Sequence, residues 1–467
     1  MSELYSQIAS ASFKKEAENN VAVIPDSFFC LNDEDLSVEY NYQPSQPIKN
    51  SRALNLKAVD GPIVLSDGTI NINVEPKEFG NFLEGFSDLT SGNYLPMTAP
   101  SGVFTAGEEI TGGTSAKTAT VTADIDGQFL IVSAPSGDFT DGEEITGGTS
   151  GKTATLTKFD STVYAHTSVS PSESTTTFTL QFNYNDRAIR YMGVRFHGVD
   201  SLSQSDNIIT AGVKTLPQSQ FRQGRVTAIT TAGAGEKTIT VDQTLGLVAA
   251  DSIKLYRPGT GFIDFSAATV KTHDVAGVTN STSFTVTNLE TATAVGDLIL
   301  LAPQTANYTV GNEFSFIGGS LATIGDDIDN LATACIEDFT LVMLNELEAR
   351  YCADGVDFED RFPSHLLQKG FTGNGTLKLH TKNEFFYRFL RKNTAQAFRI
   401  RSIGSDIGVT DMQNEVWFTF AQVQFDTYNT NIGEDNIVDE DIPFSSFYDD
   451  TEGHSARMVL INDVASY

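Results

Sequence analysis

Gly68-Thr-Ile-Asn-Ile-Asn73, followed by Phe79, Phe82 and Leu83, recurs as Gly375-Thr-Leu-Lys-Leu-His380, followed by Phe386, Phe389 and Leu390. The offset is 307 residues, without a gap. In each copy an alternation of period two gives way to apolar residues at i, i+3 and i+4. The first pattern places alternate side chains on opposite faces of a strand; the second lines one face of a helix. Each copy therefore predicts a strand and then a short amphipathic helix. The first helix spans Pro76 to Phe86, with proline suited to its first turn. The second spans Asn383 to about Lys392, behind a Thr381/Glu384 capping box. Upstream, Glu34-Asp-Leu-Ser-Val38 matches Glu337-Asp-Phe-Thr-Leu341 at an offset of 303. The chain thus reads as a duplication: strand, long loop, strand, helix in each half.

Two further repeats lie between these copies. Ala99 to Thr122 recurs at Ala134 to Thr157, with 20 of 24 positions identical. Tandem copies this similar suggest a small β module inserted into another fold, able to be excised. More loosely, Thr238 to Asp242 and Asp251 to Leu255 resemble Phe284 to Thr287 and Gly296 to Leu300. The expected organisation is a first copy of the fold in two pieces (1–97 and 162–224), inserted tandem repeats (98–161), a second inserted β domain (225–310) and a second copy of the fold (311–467). Elsewhere, short alternating runs such as Leu36 to Tyr40, Phe178 to Phe182, Arg190 to Phe196 and Val416 to Phe420 read as strands. The fold class is mainly β: a duplicated β-sandwich with one short helix per half and two inserted small β domains.

The 467 residues carry 60 acids against 30 bases, a net charge of −30. A protein that grips phosphate by counterion release needs a basic face, so this balance excludes a nucleic-acid gripper and disfavours an anionic membrane surface. No apolar run approaches the ~18 residues of a membrane span. The first twenty residues lack an apolar core, so no secretory signal is expected. The three cysteines, Cys30, Cys335 and Cys352, are far apart and form no CxxC pair, which argues against a disulfide framework and against a cysteine zinc site and fits assembly in a reducing cytosol.

Little here points to catalysis. Gly147-Gly-Thr-Ser-Gly-Lys-Thr153 resembles a phosphate-binding loop, but Thr146 stands where its first glycine belongs and no helical pattern follows. It is read as a Gly-rich turn. The six histidines show no metal-ligand spacing. Asp124-Ile-Asp-Gly127 and Asp326-Asp-Ile-Asp329 are fragments of a calcium-loop pattern and are read as turn acids. The acidic stretch from Glu434 to Glu452 is interrupted by Ile442, Pro443, Phe444 and Phe447, so part of it must pack. No enzyme activity, cofactor or metal is expected.

The second half is similar to the tail tube proteins of long, non-contractile-tailed bacteriophages. The resemblance runs through Asp338-Phe-Thr-Leu341, Asn345 to Tyr351, Gly375 to Leu379, Asn383 to Leu390, Ala397 to Arg401, Val416 to Phe425, Asp441 to Tyr448 and Arg457 to Asn462. In the first half it includes Asn50-Ser-Arg52, Gly68-Thr-Ile70, Tyr191 to Phe196 and Ile208 to Ala211. It covers about 300 residues, all but the insertions, and rests on the order of weak motifs. It implies a subunit that forms rings, three chains to a ring where the fold is doubled, stacked into a channel for DNA. The implied partners are further copies of the chain and the tape-measure, tail-terminator and tail-tip proteins. DNA would pass without specific binding and no membrane would be involved. The implied location is the virion tail, after assembly in the host cytoplasm. Lumen-lining candidates are Glu39, Asn41, Asn71, Asn73, Lys378 and His380. Ring-stacking candidates are Lys49, Arg52 and Lys57, in a long loop from Gln43 to Asp67, with Cys352 to Lys369 as its counterpart. The competing readings are another phage structural protein (decoration, fibre or neck component) and a carbohydrate-binding adhesin. The adhesin would want exposed aromatic platforms, whereas the single Trp417 sits in an apolar strand.

Overall fold

A computed structural model describes residues 10–17, 23, 25–36, 42–45, 57–60, 66–172, 176–183, 192–205, 207–217, 224–231, 236–242, 247, 249, 252–257, 261–262, 265–266, 269–270, 273–280, 282–287, 294–301, 313–316, 320–325, 332–334, 338–350, 365–379, 395–426, 429–432 and 438–467. The fold is mainly β. The first half opens with β1 (Ser10–Lys15), β2 (Ser27–Phe29) and β3 (Leu31–Glu34). It continues through β4 (Tyr42–Ser45), β5 (Lys57–Asp60), β6 (Ser66–Asn73), the helix α1 (Phe79–Phe86) and β7 (Thr90–Thr98). The tandem repeats supply β8 (Glu109–Gly112), β9 (Thr118–Ile125), β10 (Phe129–Ser133), β11 (Glu144–Gly147) and β12 (Thr153–Leu156). The half closes with β13 (Tyr164–Ser170), β14 (Phe178–Asn183), β15 (Met192–Ser205) and β16 (Ile208–Pro217). The second insertion holds β17 (Gly224–Thr231), β18 (Glu236–Val241), β19 (Ser252–Arg257), β20 (Gly261–Phe262), β21 (Phe265–Ser266), β22 (Thr269–Val270), β23 (His273–Asn280), β24 (Ser283–Thr287) and β25 (Leu298–Leu301). The second half begins with β26 (Ser320–Gly325), β27 (Ala332–Ala334), β28 (Asp338–Leu344), β29 (Leu347–Arg350), β30 (His365–Gln368) and β31 (Thr372–Leu379). It ends with β32 (Gln396–Asp406), β33 (Gln413–Phe425), β34 (Asn429–Ile432), β35 (Val438–Phe447) and β36 (Ala456–Asn462).

The two halves are wired alike. In the first, antiparallel neighbours run β2–β1–β14–β15–β16–β6–β3, with the ribbon β4–β5 apart. In the second they run β27–β26–β32–β33–β35–β31–β28, with the ribbon β29–β30 apart. Each strand of one list has its counterpart at the same place in the other, in the same chain order. One register differs. Asp35 lies opposite Thr69, whereas Asp338 lies opposite Lys378, two residues further along the equivalent strand. A slip of two keeps every side chain on its own face.

Ile70, Ile72 and Val74 are at most 2 % exposed, as the alternation requires. They pack with Phe79, Phe82, Leu83 and Phe86 of α1 and with Phe339, Leu377, Phe398 and Phe444 of the second half in one shared core. The helix starts three residues later than the proline suggests, because residues 76–78 form a turn in which Phe79 N–H bonds to Glu75 O at 3.0 Å. Gly80 is required where the C-terminal ring folds back: a Cβ there would lie 2.1 Å from the ring of Tyr467. The second predicted helix, Asn383 to Lys392, lies outside the described residues.

Each insertion contributes to a closed six-stranded barrel. The first closes as β7–β10–β9–β8–β11–β12–β7. Its two sequence repeats face each other across β8–β11, where Thr111 opposes Thr146 and Ile110 opposes Gly147. The second closes as β19–β23–β24–β18–β17–β25–β19 around Val226, Ile239, Leu255, Phe284 and Ile299. Closure leaves the barrel strands without open edges.

The boundary expected at residue 98 is too late. Asn93 to Thr98 of β7 already belong to the first barrel, while the start of β7 pairs with β13 of the main sheet. The module is also tied to the main sheet by side chains. Its β9–β10 turn, with Asp126 and Gly127 both at positive φ, inserts Asp126 between Arg399 and Arg457. All three side chains are at least about nine-tenths buried. Phe129 and Ile131 extend the contact onto Trp417, Val459 and Ile461. We expect Asp126→Ala to destabilise the fold by about 3–5 kcal/mol, because two buried guanidinium groups lose their counter-charge. Urea unfolding measures this directly. A loss below about 1 kcal/mol would show that the clamp contributes little.

Candidate functional site

Eight strands, β3–β6–β16–β15–β28–β31–β35–β33, are consecutive neighbours across both halves. The join is β15–β28, from Ser201 opposite Leu344 to Gln204 opposite Leu341. One face carries the buried residues Ile70, Ile72, Leu202, Ala211, Met343, Leu377, Ile442 and Val423. The other is dominated by small uncharged polar side chains, including Thr69, Asn71, Asn73, Thr210, Ser201, Ser203, Thr340, Asn374, Thr376, Ser445, Gln422 and Gln424. Charge on that face, among the described side chains, comes from Asp33, Asp35, Asp67, Asp338 and Asp441 against Lys378.

Side-chain bonds tie this face together. Asn71 Nδ2 donates to Asp33 Oδ1, and Thr210 Oγ1 donates to Asn71 Oδ1. Asn32 Nδ2 donates to Asn73 Oδ1 at 2.8 Å, and Asn73 Nδ2 to Glu313 Oε1 at 3.1 Å. Asp35 accepts from Thr69 N–H at 2.5 Å and Thr69 Oγ1 at 2.8 Å, and these bonds hold its carboxyl below the usual range. Lys378 stands in register between Asp338 and Asp441, directly opposite each on the flanking strands. At the ~5 Å spacing of cross-strand pairs, two carboxylates bracket this cation.

Of the lumen candidates, then, Asn71, Asn73 and Lys378 share one face. Glu39, Asn41 and His380 lie outside the described residues. The strand expected at Leu36 to Tyr40 lies, from residue 37 on, outside the described residues; β3 precedes it at Leu31–Glu34, and Leu36 packs against the core. Of the stacking candidates, Lys49 and Arg52 lie outside the described residues, and Lys57 begins β5. The loop expected from Gln43 to Asp67 contains the β4–β5 ribbon, and its counterpart contains β30, which pairs with β29. The alternation in these short strands is too brief to distinguish from a polar loop.

The phosphate-loop look-alike binds a carboxylate of its own chain. Glu108 Oε2 accepts Ser150 N–H at 2.8 Å and Thr149 N–H at 3.1 Å, while Ser150 Oγ donates to Oε1 at 2.8 Å. Glu143 makes the reciprocal set with Thr114 and Ser115. Burial alone would raise both carboxyls, but these donors, led by Ser150 and Ser115, hold them below their usual range. A Cβ at Gly147 would lie 2.7 Å from Glu108 Oε2, so glycine is needed for the loop to approach. Asp124 serves its turn, accepting Gly127 N–H at 3.1 Å and Phe104 N–H at 2.8 Å; Asp326 to Asp329 are not described. The acidic C-terminal stretch packs where expected, with Ile442 and Phe444 buried in β35. Trp417 is 2 % exposed and offers no platform for a sugar. No protein-family model matches this sequence, and no curated protein matches it.

Two buried histidines are held neutral. Burial lowers His166 to about 4, against weaker support from Val464 O and Asn462. Burial and then the nearby Arg457 lower His454 to about 4. A base whose folded pKa lies below its unfolded value binds more protons when unfolded. Stability is therefore lost as pH falls from about 6.5 to about 4. We expect His454→Phe to gain stability relative to the parent across that window, by on the order of 2–3 kcal/mol at its acid end. Urea midpoints at pH 7 and pH 4.5 measure it. An unchanged difference would remove His454 from the acid response.

Proposed function

We propose that this chain is a ring-forming structural subunit of a phage tail tube, with the polar face of the eight-stranded sheet lining the DNA channel. The observation that carries this reading is the join between the halves. Two copies of one fold sit side by side, linked strand to strand through β15 and β28. Among the described residues, β3 pairs only with β6, and β34, which prolongs β33 along β35, pairs only with β35. By the duplication, β3 corresponds to β28 and the β34 edge to the end of β15. The contact made within the chain can therefore be repeated between chains, head to tail, until a ring closes.

Strand geometry is in keeping with three chains. Three chains of eight strands give 24; at ~4.8 Å per strand the backbone circle is about 37 Å across before tilt widens it. Side chains take about 5 Å on each side, half the usual spacing of packed sheets, leaving a bore of about 27 Å. A duplex about 20 Å across passes. Two chains would leave about 14 Å and six about 63 Å, by the same spacing.

The composition of the proposed lumen suits passage rather than binding. DNA presents a phosphate charge about every 1.7 Å of axis, so a basic wall would hold it. Hydroxyls, amides and a small excess of carboxylates would not. The β4–β5 and β29–β30 ribbons occupy equivalent places in the two halves and are the proposed contacts between rings, with Lys49, Arg52 and Lys57 in or beside the first.

Proline substitution on β34 tests the reading. Successive N–H groups of a strand point to opposite edges, so Asn429→Pro and Thr430→Pro divide the work. One removes a bond to β35 and the other blocks the outer edge. We expect one of the two to remain a folded monomer, by circular dichroism and sedimentation, while the parent forms rings of three in electron micrographs. Parental rings of any other number, or ring formation by both variants, would overturn the proposal.

A further inference from the structure

Cys30 follows β2, Glu75 follows β6 and Glu313 precedes the core residue Phe314, which is tied back by Phe314 N–H to Val74 O at 2.9 Å. One ligand atom from each of Cys30, Glu75 and Glu313 lies within 4.8 Å of the others. Cys30 Sγ donates to Glu75 Oε1 at 3.0 Å. Glu75 is 2 % exposed, and its second oxygen, Oε2, is buried beside the buried Oε2 of Glu78 with no N–H or hydroxyl donor to either. The two carboxyl groups can hydrogen-bond each other only while one of them holds a proton. Burial, and then the surrounding carboxylates, raise Glu78 to about 7 and Cys30 to about 12. Burial also raises Glu75. A carboxylate removed from water without a counter-charge is costly, so this group of oxygens and sulfur calls for a cation or retained protons.

We propose that Cys30, Glu75 and Glu313 form a binding site for a divalent transition-metal cation of the zinc type, with Glu78 or water as a fourth ligand. Zinc accepts thiolate and carboxylate together, at about 2.3 and 2.0–2.2 Å, which sets ligand separations near 3.5 Å in a tetrahedral shell. Reaching that spacing requires the trio to draw closer, with the exposed Glu313, whose Oε1 now accepts from Asn73 Nδ2 at 3.1 Å, as the adjustable member. Binding replaces the thiol proton by a metal–sulfur bond, and the proton passes to buffer. The ion would staple the end of β2 and the turn before α1 to the segment that leads from the second insertion into the second half. This departs from the expectation of no metal, and it is independent of assembly.

Titration of untagged, full-length protein with Zn²⁺ tests the site, with Mg²⁺ as a hard comparator. We expect one Zn²⁺ per chain, a rise in melting temperature reversed by EDTA, and proton release seen as a buffer-dependent binding enthalpy. Co²⁺ should give a thiolate-to-cobalt charge-transfer band that is lost in Cys30→Ser and kept in the Cys335→Ser/Cys352→Ser double variant. Glu313→Gln, at an exposed position that does not endanger folding, should weaken Zn²⁺ by more than about tenfold. The proposal is overturned by the absence of saturable Zn²⁺ binding, or by a cobalt band that survives Cys30→Ser. It is equally overturned by an affinity unchanged in Glu313→Gln.

Discussion

An unpaired strand edge is the constraint on which this molecule turns. Backbone N–H and C=O groups left open on a long edge recruit other strands, so a protein this rich in β structure must close, cover or use every edge. Both insertions close theirs by completing six-stranded barrels. The duplicated fold closes one edge internally, by laying β28 against β15. Among the described residues, β3 and β34 are short open edges at the two ends of the eight-stranded run, and β2 and β27 end the neighbouring runs. The correspondence of β3 and β34 to the internal join is what the proposed ring would use, and their brevity limits adventitious pairing.

The same constraint explains why the first barrel is not an ornament. A barrel formed only from residues 98–161 would lack its sixth strand, so it borrows β7, which continues into the main sheet through β13. Sharing a strand fixes orientation, and Asp126 reinforces it from the far end of the hairpin. That ion triad is buried, and replacing all three groups by apolar ones could stabilise the fold as well as the charges do. What the charges add is position: Asp126 satisfies Arg399 and Arg457 together in one placement of the barrel on β32 and β36. The two barrels solve the edge problem with the same number of strands from unrelated sequences, each by setting two three-strand units face to face.

Parts of this architecture were legible in the residues because they repeat a pattern long enough to exceed chance. The β6 and β31 match carries both a strand period and the start of a helix period, and the pairing of every corresponding strand follows it. The tandem repeats announced a symmetric β unit because so few positions differ. The contribution of β7 was not legible, since Asn93 to Thr98 lie outside the repeated stretch and their partners are chosen in space. β3 was not legible, because Asn32, Asp33 and Glu34 leave it without an apolar alternation; the Asp35–Thr69 bonds lie just beyond its end. Cys30 and Glu75 stand 45 residues apart, and Glu313 lies in another half of the chain, so no spacing rule could join them.

Charge is distributed by the same logic of faces and edges. Sixty acids against thirty bases would suffice to keep a long assembly soluble if all lay outside. On the polar face of the eight-stranded sheet, however, two carboxylates are restrained by hydrogen bonds, Asp33 by Asn71 and Asp35 by Thr69, while Asp338 and Asp441 flank Lys378 in register. An acid serving solubility alone has no need of a fixed rotamer. In the proposed tube, restrained carboxylates set among hydroxyls and amides would form a wall that does not adhere to a polyanion. The lysine fits this arrangement, because a cation bracketed by two carboxylates has little field left with which to hold a phosphate.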